Sequence, residues 1–462
     1  MGEKCRFYYD IQSLQDDVTG SGNVLTVSYP DATKEMIVVD FGLYQGSDEQ
    51  RKHNEVVGFK PERLCGILLT HAHIDHCGRI PLLYKNGAYC RTYMTKDTMK
   101  IAEKLLKNTA TIIASDEKPM YSMFDLEACT KEFRACEYGD KIEITSHIHA
   151  KFIKNSHIAG AACIRVEISY PGEKDIVLVF SGDYNETNDF SNYRTELPSE
   201  ILDEPISALI LESTYGSRKK DDSEIGKFER EVVDYIKHGK DIIVPAFAFG
   251  RFQNILKVFH DLQESGDLDK SIPIYIDGGL GVDITFLWQY LETVDVKNFM
   301  PDNVTVVEDR KLVMISKEQK IIITTSGMCN FGPAREYIPY YISREDAVIF
   351  LTGYSSEEST ARKILEAQMG DVIPVLGVMR EKKAIVTMTG QFSSHARKEQ
   401  LIEFVKRYKK IGLLLIEHGN EESKLALARA CEGLSNVTDV AIVDGKTDFR
   451  GNCYGFIKSF RI

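Results

Sequence analysis

The sequence lacks most of the features that mark a specialised structural class. No apolar run is long enough to cross a bilayer, and the opening MGEKCRFYYDIQSLQDD carries charge from its third residue. Neither a membrane span nor a signal peptide is therefore expected. Ten cysteines are sparse for 462 residues, and none forms a CxxC pair. That argues against a disulfide scaffold and fits a reducing, cytoplasmic setting in which most thiols behave as small buried hydrophobes. Internal repeats, low-complexity tracts and Pro/Gly/Ser-rich linkers are missing too, so any second domain is joined by short connections or inserted. Basic excess is absent: 57 Lys and Arg against 69 Asp and Glu leave a formal net charge of −12. This counts against a whole-surface nucleic-acid binder and leaves a local basic cleft as the alternative. The longest basic runs, Arg218-Lys219-Lys220, Arg380-Glu381-Lys382-Lys383 and Lys406-Arg407-Tyr408-Lys409-Lys410, read as solvated helix faces or loops.

What remains is an ordinary globular composition, 43% hydrophobic and 27% charged, in a chain long enough for two or three domains or one large two-lobed enzyme. NVLTVSY, EMIVVDFG and CGILLTH read as half-buried or buried strands. MTKDTMKIAEKLLKNTATI and MFDLEACTKEFRA have helical spacing, and strands return at KIEIT, AKFIKN, AACIRVEIS and DIVLVFSG. From about Ile225 helix and strand alternate, the pattern of a parallel α/β unit. KAIVTMTG, RKEQLIEFVKRY, GLLLIEHG and ESKLALARACEG repeat strand and helix toward the end. The fold class is α/β (α+β).

The densest chemical signal is Thr70-His71-Ala72-His73-Ile74-Asp75-His76-Cys77-Gly78. Two histidines at i and i+2 at a strand end project to one side and reach one ion. Asp75 and His76 follow where the chain turns into a helix and face a second ion. Imidazole and carboxylate without thiolate suit Zn²⁺, with Mn²⁺ or Fe²⁺ as substitutes. Four ligands on one segment do not saturate two metals, so others come from elsewhere. His157 in Asn155-Ser156-His157 and Asp183 in Phe180-Ser181-Gly182-Asp183 sit at strand-end turns, and a carboxylate at Asp183 can bridge two ions. Asp40, in Val39-Asp40-Phe41-Gly42, is placed to orient a ligand histidine. His147 and His149 read as histidines without a metal role.

In order and spacing, DFGLYQG, THAHIDHCGRIP, the late His157 and FSGD resemble the motifs of the metallo-β-lactamase fold. Its architecture is a four-layer αββα sandwich with the site on the sheet edges. Ser156 stands where the third motif usually has glycine. Three later segments, Leu211-Glu212-Ser213-Thr214-Tyr215-Gly216, Gln391-Phe392-Ser393-Ser394-His395-Ala396 and Glu417-His418-Gly419, resemble motifs A, B and C of the β-CASP nucleases. Members of that group carry an inserted α/β domain. PAFAFGR, SGM, GPA and TGY resemble the inserted cassette's own signatures. The resulting division is 1–210 and 386–462 for the metallo-β-lactamase domain and 211–385 for the β-CASP domain. Within the group, the FSSHA form of motif B and the motif C histidine are similar to the RNA-processing branch. The short flanks lack room for the extra domains of longer members, so the match is to compact relatives of the cleavage and polyadenylation factor endonuclease.

The resemblance implies a division of labour. His71, His73 and His157 hold one zinc, Asp75, His76 and His418 the other, and Asp183 bridges them. A hydroxide between the ions attacks phosphorus, and His395, supported by Glu212, protonates the leaving oxygen, giving 5′-phosphate and 3′-hydroxyl ends. Asp75, Asp183, Glu212 and His395 are thus the expected catalytic residues. Arg251, Ser326, Arg362 and Ser393 are expected phosphate or backbone contacts, and Tyr215, Phe331 and Tyr354 are candidates for stacking on bases. The expected activity is a zinc-dependent ribonuclease on single-stranded RNA, endonucleolytic, 5′-3′ exonucleolytic or both. A DNA nuclease, a hydrolase of small phosphodiesters or esters, and a metal-binding scaffold without catalysis are the alternatives. A homodimer is compatible with all of them.

Overall fold

The computed structural model describes residues 7–15, 17–46, 48–188, 193–194, 202–218, 222–294, 299–353, 355–356, 358–453 and 455–461. Tyr354, Lys219 and Lys220 lie outside these residues. The chain forms two compact units. One comprises Met1–Asn188, Tyr193–Lys220 and Ser394–Ile462, and the other Asp189–Asn192 and Asp221–Ser393.

The first unit is built on two sheets. In spatial order, the eight-stranded sheet runs Gly455–Arg461, Thr447–Asn452, Tyr8–Ser13, Asn23–Ser28, Lys34–Val39, Leu64–Leu68, Thr92–Thr95 and Phe133–Cys136. The seven-stranded sheet runs Val437–Ile442, Ile411–Glu417, Ile206–Glu212, Ile176–Phe180, Ala162–Ile168, Ile148–Lys154 and Lys141–Glu143. Period-two alternation decides what each face meets. Leu178, Phe180, Ala208, Ile210, Leu413 and Leu415 point inward, into a core shared with Ile37, Val39 and Leu68 of the other sheet. Their neighbours Val177, Val179, Leu209, Leu211, Leu414 and Ile416 point outward, where Leu401 and Phe404 of helix Lys398–Arg407 and Leu427 of helix Glu421–Cys431 cover them. Because both faces of these strands are buried, their sequences are continuous apolar runs. On the other side, helix Lys96–Ile113 packs against strands Thr92–Thr95 and Phe133–Cys136. The order of layers is helix, sheet, sheet, helix. One expected helix is shorter than its periodicity suggests: it spans Met123–Lys131, and Phe133–Cys136 pairs in parallel with Thr92–Thr95 instead. Edge pairing of the sheet overrides the local helical pattern there.

Strand direction brings the chain's polar turns together. Ile176–Phe180, Ile206–Glu212 and Ile411–Glu417 are parallel neighbours, so Asp183, Glu212 and His418 emerge at one edge. Lys34–Val39 and Leu64–Leu68 are also parallel, which places Asp40 beside the start of the His71 cluster.

The second unit holds a six-stranded, all-parallel sheet in the order Val304–Val306, Ile274–Asp277, Ile321–Thr324, Asp241–Pro245, Ala347–Leu351 and Ile385–Met388. Tyr337, Ile338 and Tyr341 of helix Ala334–Tyr341, with Ala361 and Ile364 of helix Thr360–Glu366, pack on Ile243, Ile322 and Ile349. Among the described residues, no helix is long and apolar enough to cross a membrane.

Leu178 is fully buried between the two sheets. Leu178→Ala is expected to destabilise the first unit by about 2–5 kcal/mol, read as a lower denaturation midpoint with an unchanged slope.

Candidate metal centre

Seven ligand-type side chains meet at the sheet edge of the first unit, and one carboxylate organises them. Asp183 follows the strand Ile176–Phe180 and is 2% exposed. Its Oδ2 lies 3.5 Å from His71 Nε2 and 3.4 Å from His157 Nε2. Its Oδ1 lies 3.1 Å from both His76 Nε2 and His418 Nε2. The two oxygens thus face two different sets of imidazoles. His73 joins the first set through Nδ1, which is 3.2 Å from His71 Nε2 and 3.1 Å from His157 Nε2. Asp75 joins His76 and His418 in the second set.

Each ring is aimed by a contact at its far nitrogen or by its backbone. His76 Nδ1 is 2.8 Å from Asp40 Oδ2, while Asp40 also accepts the Thr70 amide at 2.8 Å and the Thr70 hydroxyl at 2.7 Å. His157 Nδ1 donates to the Ser394 carbonyl at 2.9 Å. His71 Nδ1 lies 3.0 Å from the Thr70 hydroxyl, and His418 Nδ1 lies 3.1 Å from Gln15 Oε1. Such outer contacts fix which nitrogen is presented inward.

The backbone is shaped to the same end. Asp40 (φ 60°) and His418 (φ 50°) are both held in the left-handed region, which is costly for residues with a Cβ. Gly42 has no freedom to be anything larger, since a Cβ there would lie 1.5 Å from the Asp75 carbonyl oxygen. In the turn after Ile148–Lys154, Asn155 accepts the His157 amide at 3.0 Å and donates to the Asp183 carbonyl at 2.6 Å. It locks two ligand loops together, and Ser156 fits between them fully buried. Arg79, 1% exposed, donates to the carbonyls of Gly42, His53 and Val56 and lies 4.2 Å over the Phe41 ring, pinning the loop after Asp40. The sequence reading singled out neither Asn155, Arg79, Gln15 nor Thr70 for these tasks. Position beside a ligand in the sequence was the signal for Asn155 and Thr70. Gln15 offered none.

The electrostatics suit a cation. Burial holds His71 and His157 well below the usual histidine range, and pulls His73 down to about 4, so these rings favour the neutral form. Burial opposes charge on His76 as well, yet Asp183 and Asp40 overcome it and hold that ring well above its ordinary value. The surrounding imidazoles, led by His418 and His76, outweigh burial at Asp183 and hold its carboxyl well below the carboxylate range. His76 Nε2 and Asp183 Oδ1 are buried without a well-directed hydrogen bond. Cys77 contributes nothing: its thiol donates to the Ala72 carbonyl, and burial pushes it far up. The residues fit a metal site of imidazole and carboxylate ligands.

His395 stands beside this cluster. Its Nε2 is 3.7 Å from Asp183 Oδ2, and its Nδ1 lies 3.1 and 3.2 Å from the two oxygens of Glu212. Glu212, 1% exposed, is itself fixed by the amides of Tyr184 at 2.8 Å and Thr214 at 3.0 Å. Burial disfavours charge on His395, but Glu212 and then Asp183 overcome it and raise the ring to about 10. Tyr215 meets the His395 ring edge-on at 5.8 Å, and the Arg218 guanidinium lies 4.2 Å over the Tyr215 ring. His147 lies before the strand that ends near His157, tilted against the Tyr29 ring at 4.7 Å and 3.4 Å from Glu35, and His149 lies within that strand.

The remaining expected contacts lie in the second unit. Arg251 opens helix Arg251–Glu264, donates to the Phe392 carbonyl at 3.2 Å beside Ser393, and occupies the space a Gly353 side chain would need. Phe247 lies between the Arg251 guanidinium, at 5.5 Å, and Gly327. Ser326 closes a loop with Phe331 by three hydrogen bonds, leaving Phe331 61% exposed. Arg362 points along its own helix to Glu366, at 2.6 Å.

The sequence matches the Metallo-beta-lactamase superfamily over residues 20–191, the Beta-Casp domain over 252–364 and the Zn-dependent metallo-hydrolase RNA specificity domain over 381–442. The chain is a β-CASP member of the metallo-β-lactamase superfamily. It is 28% identical to an RNase J-like protein of Methanocaldococcus jannaschii, covering 86% of this chain and 89% of that one. It is 29% identical to RNase aCSPSF2 of Saccharolobus solfataricus, over 85% of this chain and 76% of the other. Identity to Ribonuclease TTHA0252 of Thermus thermophilus is 27%, over 89% and 93%.

Zinc titrated into metal-free protein is expected to raise the melting temperature. At a free concentration about 1,000 times Kd the gain is about 4 kcal/mol. Asp183→Ala, which removes a ligand from both sets, should abolish most of that shift in calorimetry.

Proposed function

We propose that this protein is a ribonuclease that hydrolyses single-stranded RNA at a centre of two zinc ions. The observation that carries the reading is the split carboxylate of Asp183, one oxygen toward His71 and His157, the other toward His76 and His418, with His395 Nε2 facing the same group. The ribonuclease names of the relatives and the match to an RNA specificity domain support RNA as substrate.

His71, His73 and His157 would hold one ion, and Asp75, His76 and His418 the other, with Asp183 between them. Bound there, two such ions supply a nucleophile from water at neutral pH and neutralise charge on the phosphodiester. The protein's own residues do the rest. Asp40 and the Ser394 carbonyl keep the His76 and His157 rings from turning, and Asn155 holds the His157 backbone. As the new oxygen–phosphorus bond forms, the bond to the 3′ oxygen breaks, and that oxygen needs a proton. His395 supplies it from Nε2, while Glu212 accepts the Nδ1 hydrogen and favours the imidazolium. The products are a 5′-phosphate and a 3′-hydroxyl. Arg251, Ser326, Arg362 and Ser393 are read as contacts to the RNA backbone, for which Arg362 must exchange its Glu366 partner.

Labelled single-stranded RNA should be cleaved by the zinc-loaded protein and matched DNA should not. His395→Ala should slow turnover about 10²–10⁴-fold while zinc content, counted by atomic emission, stays the same. Loss of zinc together with activity would remove the proton-donor role. DNA cleaved as fast as RNA would overturn the substrate.

Glu212→Gln separates position from charge. The carboxylate stabilises protonated His395, so its loss lowers the ring's pKa, and the donor is lost at a lower pH. The alkaline limb of the pH–rate profile should move down by about 1–3 units. An unmoved limb with a uniformly lower rate would assign Glu212 to structure alone.

A further inference from the structure

The residue before the last ligand histidine is a buried glutamate that the proposed chemistry does not use. Glu417 ends the strand Ile411–Glu417 in the seven-stranded sheet, and its carboxylate crosses to the other sheet. There Asn23 Nδ2 donates to Oε1 at 2.9 Å and Ser13 Oγ to Oε2 at 3.2 Å. Ser13 ends the first strand of the chain and Asn23 begins the second. Two residues after Ser13, Gln15 is 1% exposed, and its Oε1 lies 3.1 Å from His418 Nδ1. Consecutive residues of one sheet, Glu417 and His418, are therefore tied to one hairpin of the other.

A buried carboxylate is expensive, and an apolar residue at the same place would pack between the sheets at less cost. What the polar tie provides is alignment. The His418 backbone is locked from its own side: its carbonyl accepts the Ser213 amide and the Thr214 hydroxyl, both at 3.2 Å, and the Glu417 carbonyl accepts Ser213 Oγ at 2.7 Å. Those bonds fix the left-handed φ and leave the ring's setting to its side-chain contacts. The buried ring packs on His76 at 4.9 Å, and the Gln15 oxygen meets its outer nitrogen, so that Nε2 is presented to Asp183 Oδ1 at 3.1 Å.

We propose that Gln15 is a positioning residue for the ion shared by Asp75, His76 and His418, held in register by the Ser13–Glu417–Asn23 clasp between the sheets. Gln15 acts through His418 and selectively on one of the two ions, because in the other set the outer nitrogens of His71 and His157 face the Thr70 hydroxyl and the Ser394 carbonyl. The inference rests on the two-ion reading above.

The test is zinc binding by the whole chain, without any assay of cleavage. Metal-free wild type, Gln15→Leu and Gln15→Glu are titrated with zinc chloride by calorimetry, and ions are counted after desalting. Gln15→Leu removes the acceptor and should weaken one of two zinc sites about 10- to 100-fold while leaving the other unchanged. Gln15→Glu keeps an acceptor and should retain both ions. If Gln15→Leu does not fold, judged by its melting curve, Gln15→Met carries the same comparison. Two sites of wild-type affinity in the variant lacking the acceptor would overturn the proposal alone, as would equal weakening of both. A wild type that binds no zinc would remove the two-ion reading itself, and the proposal with it.

Discussion

A single buried carboxylate holds this centre together. Asp183 is 2% exposed and faces two ligand imidazoles on each oxygen, with His395 Nε2 a further 3.7 Å neighbour of Oδ2. Protons alone satisfy the arrangement poorly. The His71, His73 and His157 rings are driven toward neutrality by burial, yet their inward nitrogens crowd one another at 3.1–3.2 Å about His73. Lone pairs at that separation repel unless hydrogens or a cation lie among them. A divalent ion in each set would resolve the crowding and satisfy both oxygens of Asp183, which is why the constellation reads as metal ligands and not as a hydrogen-bonded core.

Everything around that carboxylate serves to bring distant turns to one edge. Parallel pairing does most of it, since neighbouring parallel strands deliver the residues after their C-terminal ends to the same side. The ends then have to be bent inward, which explains the left-handed backbone at Asp40 and His418 and the absence of a side chain at Gly42. Strain of this kind persists only where the surroundings over-determine it. Here Thr70, Ser213, Thr214 and the Asp75 backbone do so.

Much of this was legible in the sequence because ligand chemistry is local. His71 to His76 lie within six residues of chain, and Asp40, His157, Asp183 and His418 follow strands while Glu212 ends one. The strands at the two ends of the chain were harder. Tyr8–Ser13 is YYDIQS, and Thr447–Asn452 and Gly455–Arg461 are TDFRGN and GFIKSFR. Their charges pair across neighbouring strands, as Arg450 does with Asp10 at 2.6 Å, but they hide the alternation a sequence reader relies on. Gln15 and Glu417 were illegible for a different reason. Their partners stand some 400 positions away, at separations of 403 and 404, and no local pattern encodes such a contact. Arg362 shows the converse, a side chain chosen for its charge that the helix commits to Glu366 four residues on.

Those long separations bear on how the centre forms. The first strand pairs with Thr447–Asn452, Gln15 reaches His418, and Glu417 reaches Ser13 and Asn23. The ends of the chain must meet before the second ligand set is complete, and the other unit lies between them in the sequence. The first set makes a smaller demand, since His71, His73, His157 and Asp183 all belong to the segment before the interruption. Contacts of great sequence separation are paid for in chain entropy before they return any stabilisation. The two ligand sets are therefore unequal by construction: one can be assembled from the N-terminal segment, and the other waits on closure of the whole fold. An ion held by the second set would bind the closed fold alone and stabilise that closure, coupling metal occupancy to the joining of the chain's two ends.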